Sequence, residues 1–230
     1  MSFFGFSSWD LILLLPAMAF SLWAQFKVKS AYAKYSQLAS RRGTTGARVA
    51  QDLLNVNAIG GVSVTMGEGF LGDHYDPIKK VVSLSPDNYE SKSIAALAVA
   101  AHEVGHAIQH KHAYAPLNFR TSLFPVANIG STLAFPLLLA GMFFRMPLLL
   151  DVGIVFFGAA VLFQLVTLPV EFDASRRALA QLKSGGYLAS DEIGAAKKVL
   201  TAAALTYVAA TAVAVLQLAR LLLLREASDE

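Results

Sequence analysis

Four runs of apolar residues, at about 9–26, 122–144, 148–170 and 205–224, set the frame into which the rest of this chain must fit. A helix needs about 20 residues to cross the hydrocarbon core of a bilayer, and each run approaches or meets that length. The remaining polar region, about 130 residues, is too small to wrap four such segments as buried core helices. Composition agrees: 55% of the 230 residues are hydrophobic and only 15% are charged, against about 25% charged in a typical soluble domain. The expectation is an integral membrane protein.

The first run carries Trp9 and Trp23 where interfacial anchors belong. It lacks a positive leading region and has no small-residue cleavage site before Lys27, so it reads as a retained anchor rather than a signal peptide. The second run contains Pro125 and Pro136, which predict kinks. Four crossings put residues 27–120 and 171–200 on one side, and that side holds 16 of the 19 Lys and Arg residues. Cytoplasmic loops carry the excess of basic residues, so these two segments are expected in the cytoplasm and the N-terminus outside. The net charge of +3 is then explained by loops at a membrane surface, and no nucleic-acid partner is expected. With no cysteine, the chain has no disulfide framework, Cys-ligated zinc, iron–sulfur cluster or cysteine nucleophile.

Between the first two runs lies the region with chemistry. Thr45 is placed to cap a short amphipathic helix reaching about Asn57, and Gly60-Gly61 breaks it. Val62 and Val64 alternate with polar residues, and Val81, Val82 and Leu84 form a second strand-like run. The turn-rich stretch 67–77 joins them, predicting a hairpin or a sheet of two or three strands. The Val81–Leu84 strand is either an edge for an extended peptide or an inner wall of the fold. Ser91 or Ser93 can start a long helix ending near Lys111.

That helix contains His102-Glu103-Val104-Gly105-His106, an HExxH motif. Histidines four apart project from one helical face and can share one metal ion, while Glu103 beside them can take a proton from water. Neutral imidazole suits zinc, and catalysis needs three protein ligands with one open position. A third ligand must come from elsewhere. His110 lies roughly 12 Å along the helix from His102, too far to share an ion, and His112 reads like it as an interfacial histidine. Glu171 directly follows the third apolar run, which a two-helix hairpin returns to the level of the zinc helix. Glu171 is the preferred third ligand, with Asp173 its near rival.

Three segments in order now resemble a known family: Ala101–His110 around HExxH, Asp73-His-Tyr-Asp-Pro77 with the Val81–Ser85 strand, and Pro169-Val-Glu-Phe-Asp-Ala-Ser175. The chain resembles the YugP-type bacterial membrane zinc metallopeptidases over about residues 10–215. It is more distantly similar to HtpX-like and CAAX-processing membrane proteases. The resemblance implies His102, His106 and Glu171 as ligands of one Zn2+ per chain and Glu103 as general base. One departure stands out. The HtpX-like pattern has an acidic residue four after the ligand Glu, and here that position is Ser175, so either Asp173 or another arrangement must orient the histidines.

The expected fold is therefore mainly α and membrane-integral, with four transmembrane helices and a cytoplasmic zincin-like HExxH domain holding a small β-hairpin or sheet. Its parts are a first transmembrane helix (1–26), the zincin-like region (27–120), a transmembrane hairpin (121–170), a cytoplasmic helix with the third ligand (171–200), and a last transmembrane helix with its tail (201–230). The expected function is hydrolysis of peptide bonds by zinc-activated water in the inner membrane of a bacterium, on the cytoplasmic side. The expected partners are the lipid bilayer and an unfolded or membrane-associated protein substrate. A second donor must face the developing oxyanion. Among His74, Tyr75, Tyr114, Arg176 and Arg177, His74 is preferred because it lies in the motif-bearing connection. Two other readings stay open: a catalytically silent metal-binding adaptor, and a transporter suggested by Gln164, Gln217 and Arg220 within apolar runs.

Overall fold

The computed structural model describes residues 8–69 and 72–226, with side chains from Leu14 onward. The helices are α1 (Ser8–Tyr35), α2 (Gly46–Val56), a single-turn α3 (Pro86–Tyr89), α4 (Ile94–Lys111), α5 (Ala115–Phe144), α6 (Pro147–Ser184) and α7 (Ile193–Glu226). Strands β1 (Ser63–Met66), β2 (His74–Asp76) and β3 (Val81–Leu84) lie between α2 and α3. The chain divides into two compact units, one made of Gln25–Asn118 with Pro169–Leu205, the other of the apolar helical remainder.

In the apolar unit, α5, α6 and α7 are the three helices, among the described residues, long and apolar enough to cross a membrane. This corrects the expectation of four. Asp10, Pro16, Gln25, Lys27 and Lys29 all fall within α1, so its uninterrupted apolar stretch, between Asp10 and Gln25, is shorter than the roughly 20 residues a crossing needs. The interfacial role expected of Trp9 and the end of the C-terminal tail lie outside the described residues. Small residues let α5 and α6 approach closely: a Cβ on Gly130 would lie 2.6 Å from the Phe156 carbonyl oxygen. Large apolar side chains such as Phe135, Phe143, Leu148 and Val155 point outward, as lipid-facing residues do. Asp151 and Arg225 form an ion pair between α6 and α7.

The other unit is built around α4. Thr45 caps α2 by accepting from the Arg48 N–H at 3.3 Å, and the stripe Val49, Ala50, Leu53 and Leu54 on α2 is buried. These residues join Val82 and Leu84 of β3, Leu97, Val104 and Ile108 of α4, and Leu182 and Leu200 in one core. Full burial of each Leu side chain stabilises by about 1.5–3 kcal/mol relative to exposure. At the far end of α2, Lys111 donates to the Asn57 and Ala58 carbonyls, answering the negative end of that helix. Glu192 accepts from the Ala189 N–H within the turn before α7 and also from the Arg41 N–H, tying the loop before α2 to that turn.

The sheet has the order β1-β3-β2, with β1 parallel and β2 antiparallel to β3. Val82 pairs with both Val64 and Tyr75. The strand Val81–Leu84 is thus the centre of the sheet, which removes it as an edge for a peptide and leaves the inner-wall reading. The third strand arises in the turn-rich connection. Asp73 stitches it down, accepting from the Ser85 N–H at 2.7 Å, from Ser85 Oγ at 3.1 Å and from Asn88 Nδ2 at 2.9 Å. Buried Asn88 in turn accepts from the Tyr32 hydroxyl at 2.9 Å.

Candidate metal centre

Helix α4 starts on Ser93, whose Oγ accepts from the Ala96 N–H at 3.2 Å, and its uncharged first three turns are buried. That burial holds the motif at a fixed position along the helix. His102 and His106 follow one another on one face, their rings 4.8 Å apart and edge to face. The continuation of α6 beyond its apolar run brings Glu171 opposite them. His102 Nε2 lies 3.3 Å and His106 Nε2 3.8 Å from the same Glu171 oxygen. One ligand atom from each residue falls within 4.8 Å of the other two, and these three are the metal-competent group among the described residues.

Ligands about 2.0–2.1 Å from a tetrahedral zinc stand about 3.3 Å from one another. The two Nε2–oxygen distances, 3.3 and 3.8 Å, are close to that separation, so the cluster is compatible with a single zinc ion. Asp173, the rival ligand, is turned away. It accepts from Gln109 Nε2 at 3.0 Å and from Arg177 Nε at 2.5 Å, and it pairs with Arg176. Burial would raise its pKa, but the bonds from Arg177, Gln109 and Arg176 outweigh it and hold the carboxyl below the usual range. His110 is engaged with the sheet through the Tyr75 hydroxyl at 2.9 Å, and His112 ends the helix.

Glu103 sits on the same helix beside the ligands and is 8% exposed. Burial pushes its carboxyl up to about 7, against the opposing charge of His102, while Glu171 and Asp73 add to the rise and His74 opposes it. Burial alone would lower the His102 pKa, yet the Glu171 bond and the charges of Glu103 and Glu171 raise it.

His74 lies on β2, exposed, with Nδ1 2.7 Å from the Gly72 carbonyl oxygen. A carbonyl only accepts, so Nδ1 carries the proton. The other four residues weighed as donors are engaged elsewhere: Tyr75 with His110, Arg176 and Arg177 with Asp173, and Tyr114 beneath the Arg177 guanidinium.

Two residues around the cluster escaped the reading of the motif. Ser175 Oγ lies 3.1 Å from His102 Nδ1, so the residue at the departing position itself contacts a histidine. Gln109, fully buried, places Oε1 3.0 Å from His106 Nδ1. Its i+3 spacing from His106 was a usable signal, since such pairs meet on a helix surface.

Comparison with known proteins follows the same lines. Residues 10–226 match a family model described as "Putative neutral zinc metallopeptidase". A protein of Bacillus subtilis (strain 168) named "Putative membrane protease YugP" is 46% identical over 214 residues, covering 93% of this chain and 95% of that protein. No solved structure matches the chain.

Proposed function

The chain belongs to the YugP-like family of bacterial zinc metallopeptidases, and from that membership we propose an endopeptidase in which Glu103 is the general base and His74 the oxyanion donor. The observation that carries this reading is the convergence of His102 Nε2 and His106 Nε2 on one oxygen of Glu171, with Glu103 alongside. His102, His106 and Glu171 would hold one Zn2+ per chain. Bound there, zinc supplies Lewis-acid polarisation of a carbonyl and lowers the pKa of water.

The protein's own groups then divide the remaining work. Glu103, with a pKa near neutrality when metal-free, is suited both to accept a proton from water and to return it to the leaving amine. His74 is close enough for its charge to act on Glu103. Because Nδ1 already donates to Gly72, Nε2 has a proton to offer only in the imidazolium form. A cation there complements negative charge developing on the substrate oxygen.

The active site is read as facing the cytoplasm of a multi-pass inner-membrane protein. The hairpin of α5 and α6 separates the 16 basic residues of 27–120 and 171–200 from Arg145, and this count does not depend on whether α1 crosses. The substrates would be unfolded or membrane-associated polypeptides reaching that side. Metal removal tests the function. Stripping the detergent-purified protein with a chelator abolishes cleavage of an unstructured protein, and zinc at one equivalent restores it. Cleavage that survives complete removal would contradict the proposal.

A further inference from the structure

Gln109, on α4 beside the cluster, is fully buried, and its hydrogen bonds leave it a single orientation. Its Nε2 faces two groups that only accept, the Val170 carbonyl oxygen at 2.8 Å and Asp173 Oδ2 at 3.0 Å. Turning the amide over would press Oε1 against both and leave two buried acceptors without a donor. Oε1 must therefore face His106, 3.0 Å from Nδ1, and since Oε1 only accepts, Nδ1 must carry the proton. The lone pair of neutral His106 is thereby assigned to Nε2, the nitrogen turned to Glu171.

The polarity runs further back. Asp173 is buried and anchored by Arg177 and Arg176, so its carboxylate stays an acceptor and keeps the Gln109 amine facing it. His102 is treated differently. Its Nδ1 meets Ser175 Oγ, and a hydroxyl can donate as well as accept, so that contact alone selects no tautomer.

We propose that Gln109 is a positioning residue that locks His106 in the Nδ1-protonated tautomer and so delivers its Nε2 lone pair to the metal, with Asp173 acting through Gln109. The proposal rests on reading His102, His106 and Glu171 as the zinc site. It distinguishes two histidines that the motif treats alike: the one held through Gln109 has its tautomer set by protein alone.

The test is zinc affinity, measured by chelator competition on the full-length protein in detergent, with the visible spectrum of the Co2+-substituted protein as a second readout. Gln109→Met keeps the side-chain volume and removes both polar ends. It should weaken zinc binding by about 10–100-fold and alter the Co2+ spectrum, the range typical for groups that orient metal-bound histidines. Ser175→Ala should cost less than Gln109→Met. Gln109→Glu keeps an acceptor on His106 and, as the protonated acid, can still donate to Asp173, so it should bind zinc within a few-fold of wild type, at a cost in stability because an oxygen now faces the Val170 carbonyl and Asp173. If Gln109→Met yields no folded protein, Gln109→Glu decides by itself. Unchanged affinity in Gln109→Met, or a folded Gln109→Glu whose zinc affinity falls by about ten-fold or more, overturns the inference. Glu171→Gln is measured alongside: if it binds zinc like wild type, the site reading fails and the inference with it. Loss of zinc there with full binding in Gln109→Met contradicts the inference alone.

Discussion

A Cβ built on Gly105 would lie 2.7 Å from the Ala174 backbone oxygen and 3.2 Å from its Cα. The glycine inside the HExxH motif is what lets α4 and α6 come close enough for Glu171 to meet both histidines. Backbone cannot yield as a flexible side chain can, so Gly105→Ala must push the helices apart. The expected cost is about 1–3 kcal/mol in stability, together with weaker zinc binding, both readable by thermal unfolding with and without metal. Unchanged zinc affinity would show that the close approach does not set the ligand geometry.

Asp73 supports the strand that carries His74. It accepts from Ser85 and Asn88, linking the connection 67–77 to the start of α3. Asp73→Ala leaves those donors without their acceptor and should cost about 1–3 kcal/mol. Activity should fall with it, because β2 loses its tether. His74→Phe should lower kcat by about 10²–10³-fold, the usual effect of losing an oxyanion donor, with zinc content intact. Equal kcat for His74→Phe and wild type would remove His74 from the mechanism.

The raised pKa of Glu103 makes the metal-free protein pH-sensitive in a defined direction. A carboxyl ordinarily at 4.5 but at about 7 when folded holds its proton more tightly in the folded state. Below pH 4.5 both states hold the proton and the group costs nothing; the cost grows as pH rises from 4.5 toward 7 and is constant above that. The rise from 4.5 to about 7 corresponds to a cost of about 3 kcal/mol. Glu103→Gln cannot ionise, so the metal-free variant should melt higher than the wild type at pH 8 and the difference should vanish near pH 4.5. A difference independent of pH would assign the effect to packing instead.

The absence of cysteine makes orientation directly measurable. Ile78, 91% exposed beside β2, and Met146, in the turn between α5 and α6, can each be replaced by cysteine without altering charge. In intact cells a membrane-impermeant maleimide should label Met146→Cys and spare Ile78→Cys until the membrane is opened. The reverse pattern would place the site outside.

How much of this was legible follows from the range of each interaction. The cap at Thr45, the helix through HExxH and the burial of its uncharged flanks are local consequences of residue type and spacing. Glu171 could be reached because a hairpin of two apolar runs returns the chain to one level. Strand β2 could not, because three residues in a turn-rich segment pair only through β3 and are held by Asp73, twelve residues before its partner Ser85. The central place of β3 likewise depends on β2. Gln109 and Ser175 were visible as residues but not as partners, since their roles depend on how α4 and α6 face each other. The first apolar run reads as a crossing on length alone, but Asp10, Pro16 and Gln25 interrupt it, and α1 is not among the described helices long and apolar enough to cross.

The central claim is that Glu103 works on water beside a metal held by His102, His106 and Glu171. It is tested most directly by cleavage of an unstructured protein by detergent-purified wild type and Glu103→Gln, with zinc measured in both. The account predicts about one zinc in each, cleavage by the wild type, and a loss of about 10²–10⁴-fold in the variant. Equal cleavage by two zinc-loaded samples would contradict it.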